Sequence, residues 1–478
     1  MAVLENLEPK SVFGFFEQMS GIPHGSGNTK AVSDWLVSFA KERGLEHYQD
    51  DLNNVIIIKE ATPGYEAGAP IILQGHMDMV CAQAPDCHKD MEMEGLDLAI
   101  DGDTVLAKGT TLGGDDGIAV AMCLAILDAD DIAHPRVECV FTVDEETGMY
   151  GAIGIDVSPL KAKQFLNIDS EDEGIFTVSC AGGNISKCCL PVVRTQFAGE
   201  AMEITISGLV GGHSGIEINK GRGNSSMLMG RVLSALASKT EMRLITVNGG
   251  QKDNAIANCT VAKVLVADAA AAQAVCEEYD TLFKAEYVVT DPKVQVVCKA
   301  CEAAPAMDKS STDHVVCMLT CLPNGIQVMS ADIEGLVQTS LNLGVLTTSD
   351  TEVVASFCVR SSVESQKAMV VDRLRNLMAL LGGSVDVQGD YPGWAYVQDS
   401  PLRDLLVEVY KDQYGKAPKV EAIHAGVECG MFAGKIPHLD CVSIGPDLRN
   451  VHTFNERLYI GSTQRTWRLL LETLKRMK

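Results

Sequence analysis

The feature that most narrows the fold is a set of short apolar runs, each ending in residues that bind metals or move protons. The first is Ala69-Pro70-Ile71-Ile72-Leu73, followed after Gln74 by Gly75-His76-Met77-Asp78-Met79-Val80. An isoleucine-rich run bounded by Pro and Gly reads as a buried strand. Residues i and i+2 of an extended backbone point the same way, so His76 and Asp78 share one face at its carboxyl end. Open α/β sheets place their active sites at that end. A lone His-x-Asp pair is a weak signal, and its meaning depends on partners elsewhere.

Four further clusters supply partners. Gly113-Gly114-Asp115-Asp116-Gly117 opens an apolar helix running from Ile118 to Asp128. Val143-Asp144-Glu145-Glu146-Thr147-Gly148 ends a predicted strand from Val137, and Asn167-Ile168-Asp169-Ser170 ends one from Phe165. Gly445 to His452 follows the last predicted strand. Each has a bland reading: Asp115 as a helix N-cap, the Glu pair as a solvated loop, His452 as a surface histidine. Five such clusters at one sheet edge are hard to explain without metal.

A set of two histidines and three carboxylates, with no thiolate, suits zinc, cobalt or manganese at a hydrolytic site better than a structural zinc. A bridging carboxylate lets two cations sit ~3.5–4 Å apart. Of two adjacent glutamates, one can bind metal while the other remains a general base. Asp78 is placed to hydrogen-bond the far nitrogen of His76 and fix its tautomer.

The clusters sit in an alternating texture. Ala31–Arg43 has helical spacing, Val55–Lys59 and Ile71–Leu73 read as strands, and Val137–Val143 and Phe165–Ile168 as two more. Such alternation predicts an α/β domain with a mostly parallel central sheet and helices on both faces. After Cys180-Ala181-Gly182-Gly183 the chain changes to amphipathic strands with helices at Ser226–Ser238 and Ala269–Tyr279. Ile206-Ser207-Gly208-Leu209-Val210 is echoed by Ile333-Glu334-Gly335-Leu336-Val337, each in a strand-like setting, which raises the question of a duplicated α+β unit. Past Asp390-Tyr391-Pro392-Gly393-Trp394 the α/β texture returns. The expected organisation is a catalytic domain at 1–184 and 392–478, interrupted by an inserted α+β lid or dimerisation domain at 185–391.

Composition excludes several classes. A formal net charge of −25 argues against nucleic acid or an anionic membrane as partner. No run of 18 apolar residues is present, and Met1 to Leu7 lacks a basic-then-apolar leader pattern. Sixteen cysteines without a secretory context point to a reducing cytoplasm rather than a disulfide framework. Cys298 and Cys301 form a lone CxxC with no second pair at zinc-finger spacing.

Taken in order, GHMDMV, GGDDG, DEETG, NIDSE and VHTFNER resemble the di-zinc peptidase family that includes carnosinases, peptidase T and desuccinylases. The likeness covers essentially the full length. It extends to Ile22-Pro23-His24-Gly25-Ser26-Gly27-Asn28, to GGHSG at 211–215, KGRGN at 220–224, DYPGW at 390–394 and HAGVECG at 424–430. Thr29 and Ala257 depart from the usual residues, at positions not expected to touch a ligand.

The resemblance implies a zinc exopeptidase-like fold with two divalent ions, zinc first, and hydrolysis of dipeptides of Xaa-His type or over a broader range. His76 and Asp169 would bind one ion, Glu146 and His452 the other, and Asp115 rather than Asp116 would bridge them. Asp78 would tune His76, and Glu145 would be the general base. His213 would stabilise the oxyanion, in several relatives from a neighbouring subunit; an inserted sheet with an open edge makes a homodimer the expected assembly, the alternative being an active monomer whose second inserted half mimics the partner. Arg222, Asn254, His424 and Glu428 become candidate contacts to the substrate termini. An N-acyl amino-acid deacylase, or a non-catalytic metal-binding relative, are the rival readings.

Overall fold

The computed structural model describes residues 3–478. The chain divides into two compact units, one of residues 1–179, 396–422 and 427–478, the other of 180–395 and 423–426.

The first unit is built on an eight-stranded sheet. Its centre is parallel: Ile71–His76 lies between Val137–Thr142 and Gln164–Asn167, and Asp440–Ser443 pairs beyond the latter. These strands are apolar along nearly their whole length, as a sheet covered on both faces requires. The edges are antiparallel, where Val55–Lys59 pairs with Val137–Thr142 and with Glu46–Gln49. That mixed edge is invisible in the residue pattern, because a buried antiparallel strand is as uniformly apolar as a parallel one. The helix Gly114–Asp128 is buried all round from Gly117 to Leu127. Gly75 admits it: a Cβ there would lie 2.6 Å from the Cβ of Ala119 and 2.5 Å from Asp116 Oδ2. A separate four-stranded sheet carries the hairpin Leu448–Arg449 and Arg457–Tyr459.

The second unit is a nine-stranded antiparallel sheet. Strands such as Gly182–Pro191 and Glu200–Ser207 alternate buried and half-exposed side chains, the signature of a sheet covered on one face. Helices Ser225–Lys239, Ala269–Glu286, Lys309–Cys321 and Glu364–Leu380 bury their apolar stripes in the same core. Asn224 caps the first by accepting from the N–H groups of Ser226 and Met227. The echoed segments are not equivalent: Ile206 and Ser207 end a strand, whereas Ile333 to Leu336 precede one that starts at Val337. Those four matching residues therefore do not mark the repeat, but the sheet itself does: Glu200–Ser207 to Gln295–Ala300 and Gly182–Pro191 with Lys309–Cys321 to Ser384–Tyr391 share one β-α-β-β-α-β course with the same strand order, so the α+β unit is duplicated. Cys298 lies beside Cys276 of the neighbouring helix and belongs to no metal-type cluster among the described residues.

Candidate metal centre

Parallel strands end together, so the segments following them converge. His76 is the last residue of its strand and sits beside Thr142 in register. The turn at Asp144 to Gly148 follows the next strand, Asp169 follows the third, and the hairpin bearing His452 follows the fourth. Three overlapping triads have ligand atoms mutually within 4.8 Å: His76, Asp116 and Asp169; His76, Glu145 and Glu146; and Asp115, Glu146 and His452.

Asp115 faces both histidines. Its Oδ1 lies 3.2 Å from His76 Nε2, and its Oδ2 lies 3.2 Å from His452 Nε2. Asp169 Oδ1 is 3.6 Å from His76 Nε2, and Glu146 Oε1 is 2.9 Å from His452 Nε2. His452 has a positive φ of 63°, which lets the tip of its hairpin turn the ring toward the carboxylates. Asp116 is buried beside the cluster, behind Gly75.

Asp78 stands beside His76 as expected and has further contacts. His76 Nδ1 lies 2.9 Å from the Asp78 backbone carbonyl, while the carboxylate Oδ1 stands at 3.5 Å. The carbonyl therefore fixes the tautomer. The carboxylate also accepts from Ser26 Oγ at 2.8 Å and from the N–H groups of Glu145 at 3.1 Å and Glu146 at 3.4 Å. Gly27 N donates to Asp144 at 2.6 Å, so the segment at Ile22–Asn28 braces the same turn.

The charges are crowded. Burial, reinforced by neighbouring Asp169, Glu146 and Asp115, pushes Glu145 up to about 8. Burial likewise lifts Asp169 to about 7. Hydrogen bonds donated to Asp115 and Glu146 carry His452 up to about 10. Burial works against the charge on His76, yet Asp115, Asp169 and Asp78 still raise it well above an ordinary histidine.

The donor set fits divalent cations. Oxygen and imidazole donors converge without thiolate, and the buried Asp116 Oδ2 has no hydrogen-bond partner. Unpaired buried acceptors are costly unless a cation or donor satisfies them. An excess of mutually repelling carboxylates is what such ions neutralise.

The candidate contacts divide between the units. Glu428 is fully buried and accepts from Gln74 Nε2 at 2.5 Å and Thr142 Oγ1 at 2.7 Å. His213, Arg222, Asn254 and His424 all belong to the second unit. His213 Nδ1 accepts from the N–H groups of Gly215 and Ile216, at 3.1 and 3.2 Å. That assigns the neutral ring its proton on Nε2, which is left to donate. His424 Nε2 sits 2.7 Å from Ser340 Oγ. Arg222 donates to the Gly211 carbonyl and pairs with Glu217, and Asn254 is exposed.

Arg360 was not legible in the sequence, where it is one arginine of an apolar strand. It is buried beside His213 and His424, its Nε has no partner, and among the described residues no carboxylate pairs with it.

An imidazole–carboxylate cluster at the carboxyl edge of an α/β sheet defines a metal-dependent hydrolase. The sequence profile of the peptidase family M20/M25/M40 matches residues 72–476, and the chain belongs to that family. The cytosol non-specific dipeptidase of Escherichia coli (strain K12) is 36% identical over 480 aligned residues, covering 99% of each chain. The crystal structure of aminoacylhistidine dipeptidase from Vibrio alginolyticus matches with a TM-score of 0.95 at 34% identity, over 99% of this chain and 98% of that one. Aminopeptidase PepT from Bacillus cereus, at 15% identity and a TM-score of 0.56 over 98% of this chain and 99% of its own, shares the fold.

Proposed function

We propose that this protein is a dipeptidase that cleaves its substrate with water activated at a two-cation site. The observation that carries the reading is Asp115, whose two carboxylate oxygens address His76 and His452 separately. His76 and Asp169 would hold one ion, Glu146 and His452 the other, with Asp115 shared. Zinc is the first candidate on donor chemistry, with cobalt and manganese alternatives. Bound there, such ions supply Lewis-acid polarisation of the scissile carbonyl and acidify water.

The chain's own groups do the rest. Glu145, lifted toward neutrality, takes the proton from the attacking water and returns it to the leaving amine. Asp78 holds the Glu145–Glu146 turn through the two N–H groups it accepts. His213 donates its Nε2–H to the developing oxyanion. Arg360, a buried guanidinium without a carboxylate partner, suits the free carboxylate of a dipeptide. Residues 185–391 act as the lid and dimerisation domain, and the working assembly is a homodimer in the cytoplasm. The relative's name as a cytosol enzyme supports that location, and among the described residues no helix is long and apolar enough to cross a membrane.

A panel of dipeptides, Xaa-His among them, run against N-acetyl amino acids with zinc, cobalt or manganese, tests the reading. Turnover of dipeptides is expected. Exclusive cleavage of N-acyl substrates would make the protein a deacylase, and bound metal without any hydrolysis would make it a non-catalytic relative.

A further inference from the structure

Glu456 lies four residues beyond His452, in the sequence Val451-His452-Thr453-Phe454-Asn455-Glu456-Arg457. Its side chain is 3% exposed, and its carboxylate faces a run of four consecutive backbone N–H groups. Oε2 accepts from Leu112 at 2.7 Å and Gly113 at 3.1 Å. Oε1 accepts from Gly114 at 2.8 Å and Asp115 at 3.3 Å. Successive N–H groups curled round one anion form a nest. The two glycines permit it. Gly113 has a φ of +66°, and a Cβ on Gly114 would stand 3.2 Å from Glu456 Oε1 and 2.8 Å from Leu448 Cδ2.

The same residue closes the loop that carries His452. Glu456 N donates to the Thr453 carbonyl at 3.1 Å. Leu448 pairs with Leu458 and Arg449 with Arg457 on either side. Asn450 and His452, with φ of 55° and 63°, occupy a left-handed conformation that non-glycine residues rarely adopt. Their placement is therefore imposed by what anchors the loop.

We propose that Glu456 is a positioning residue: its carboxylate ties the Leu112–Asp115 turn to the His452 hairpin and so sets the distance between Asp115 and His452. The proposal rests on the metal-site reading above. Asp115 and His452 reach the site from segments more than three hundred residues apart, and a carboxylate with both oxygens engaged is a rigid link between them. Glutamine is nearly isosteric but would turn an amide N–H toward one pair of backbone donors.

Glu138 supplies a matched control. It is fully buried and accepts from Lys161 N at 3.0 and 2.9 Å, Ala162 N at 3.1 Å and Arg136 Nε at 2.8 Å, and it touches no candidate ligand. Zinc titration of the metal-stripped full chain against a chromophoric chelator, with the visible spectrum of the cobalt form, reads the site directly. Wild type is expected to bind two ions. E456Q is expected to weaken the second roughly 10–100-fold, to shift the cobalt spectrum, and to lower kcat with KM within about twofold. E456D, which keeps the charge on a shorter arm, should fall between E456Q and wild type. E138Q should lose thermal stability but keep both affinities.

Wild-type affinity for both ions in E456Q overturns the proposal, as does equal loss of the second ion in E138Q. Should E456Q not fold, E456D decides: a weakened second ion supports the link, and wild-type affinity refutes it. If wild type itself binds fewer than two ions, the metal-site reading has failed, and the proposal falls with it.

Discussion

The carboxylate of Asp78 lies 3.1 Å from the backbone nitrogen of Glu145 and accepts its hydrogen. A residue expected to act on His76 thus also holds the turn that carries the candidate base. Asp78→Ala is expected to lower kcat by roughly 10–100-fold, with metal content close to wild type because the Asp78 carbonyl still orients His76. Steady-state kinetics beside elemental analysis checks this. Loss of metal in proportion to activity would return Asp78 to the role of a histidine partner.

Glu145→Gln removes the proton acceptor and leaves the ligand set whole. Turnover should fall by about 10²–10⁴-fold while the metal-loaded protein keeps its stoichiometry. Retained activity in that variant would exclude Glu145 as the base.

Asp115 and His452 should differ when removed. His452→Ala deletes one donor of one ion, so about one ion per chain should remain. Asp115→Ala deletes the group shared between His76 and His452 and should leave less than one. Equal losses in the two variants would argue against a bridging carboxylate.

Acid should destabilise the second unit through His424. Burial, with the Arg360 charge and His213 beside it, holds His424 down to about 3, from an ordinary value of 6.5. A histidine depressed by folding contributes stability that is complete above 6.5 and is lost as pH falls toward about 3. Urea midpoints should drop across that window as the unfolding free energy falls by on the order of a few kcal/mol. His424→Gln, neutral throughout, should flatten this part of the profile. An unchanged slope would assign the effect to other groups.

Mixing His213→Ala with Glu145→Gln subunits tests where the histidine works. Recovered activity in mixed dimers would place it in the partner's active site. Confirmed subunit exchange without recovery would place it in its own chain.

Some of this was legible in the sequence for a definite reason. A buried parallel strand is a run of apolar residues, and its carboxyl end is where His76, Glu145, Glu146 and Asp169 stand. The four-strand parallel centre, and the place of most candidate ligands at its carboxyl edge, could therefore be read from pattern. His452 was weaker, since a half-exposed histidine on a hairpin has no periodicity, and only the order of the motifs raised it above a surface residue. Asp78 was found beside His76, but i and i+2 geometry does not show that its carbonyl also reaches the ring or that its carboxylate holds the next turn. Glu456 and Arg360 gave no such signal. The partners of the first are backbone N–H groups, and the second owes its neighbours to antiparallel pairing in the second unit.

The strand Asp440–Ser443 lies beside Gln164–Asn167, although the entire second unit is encoded between them. On the ribosome, the segment bearing His76, Asp115, Glu146 and Asp169 emerges first and then waits, on the order of tens of seconds, for the strand that completes its sheet. His452 arrives later still. A nascent chain stopped before His452 would carry most of the candidate ligands and no finished catalyst, so competence to cut peptides waits on a residue made long after the others.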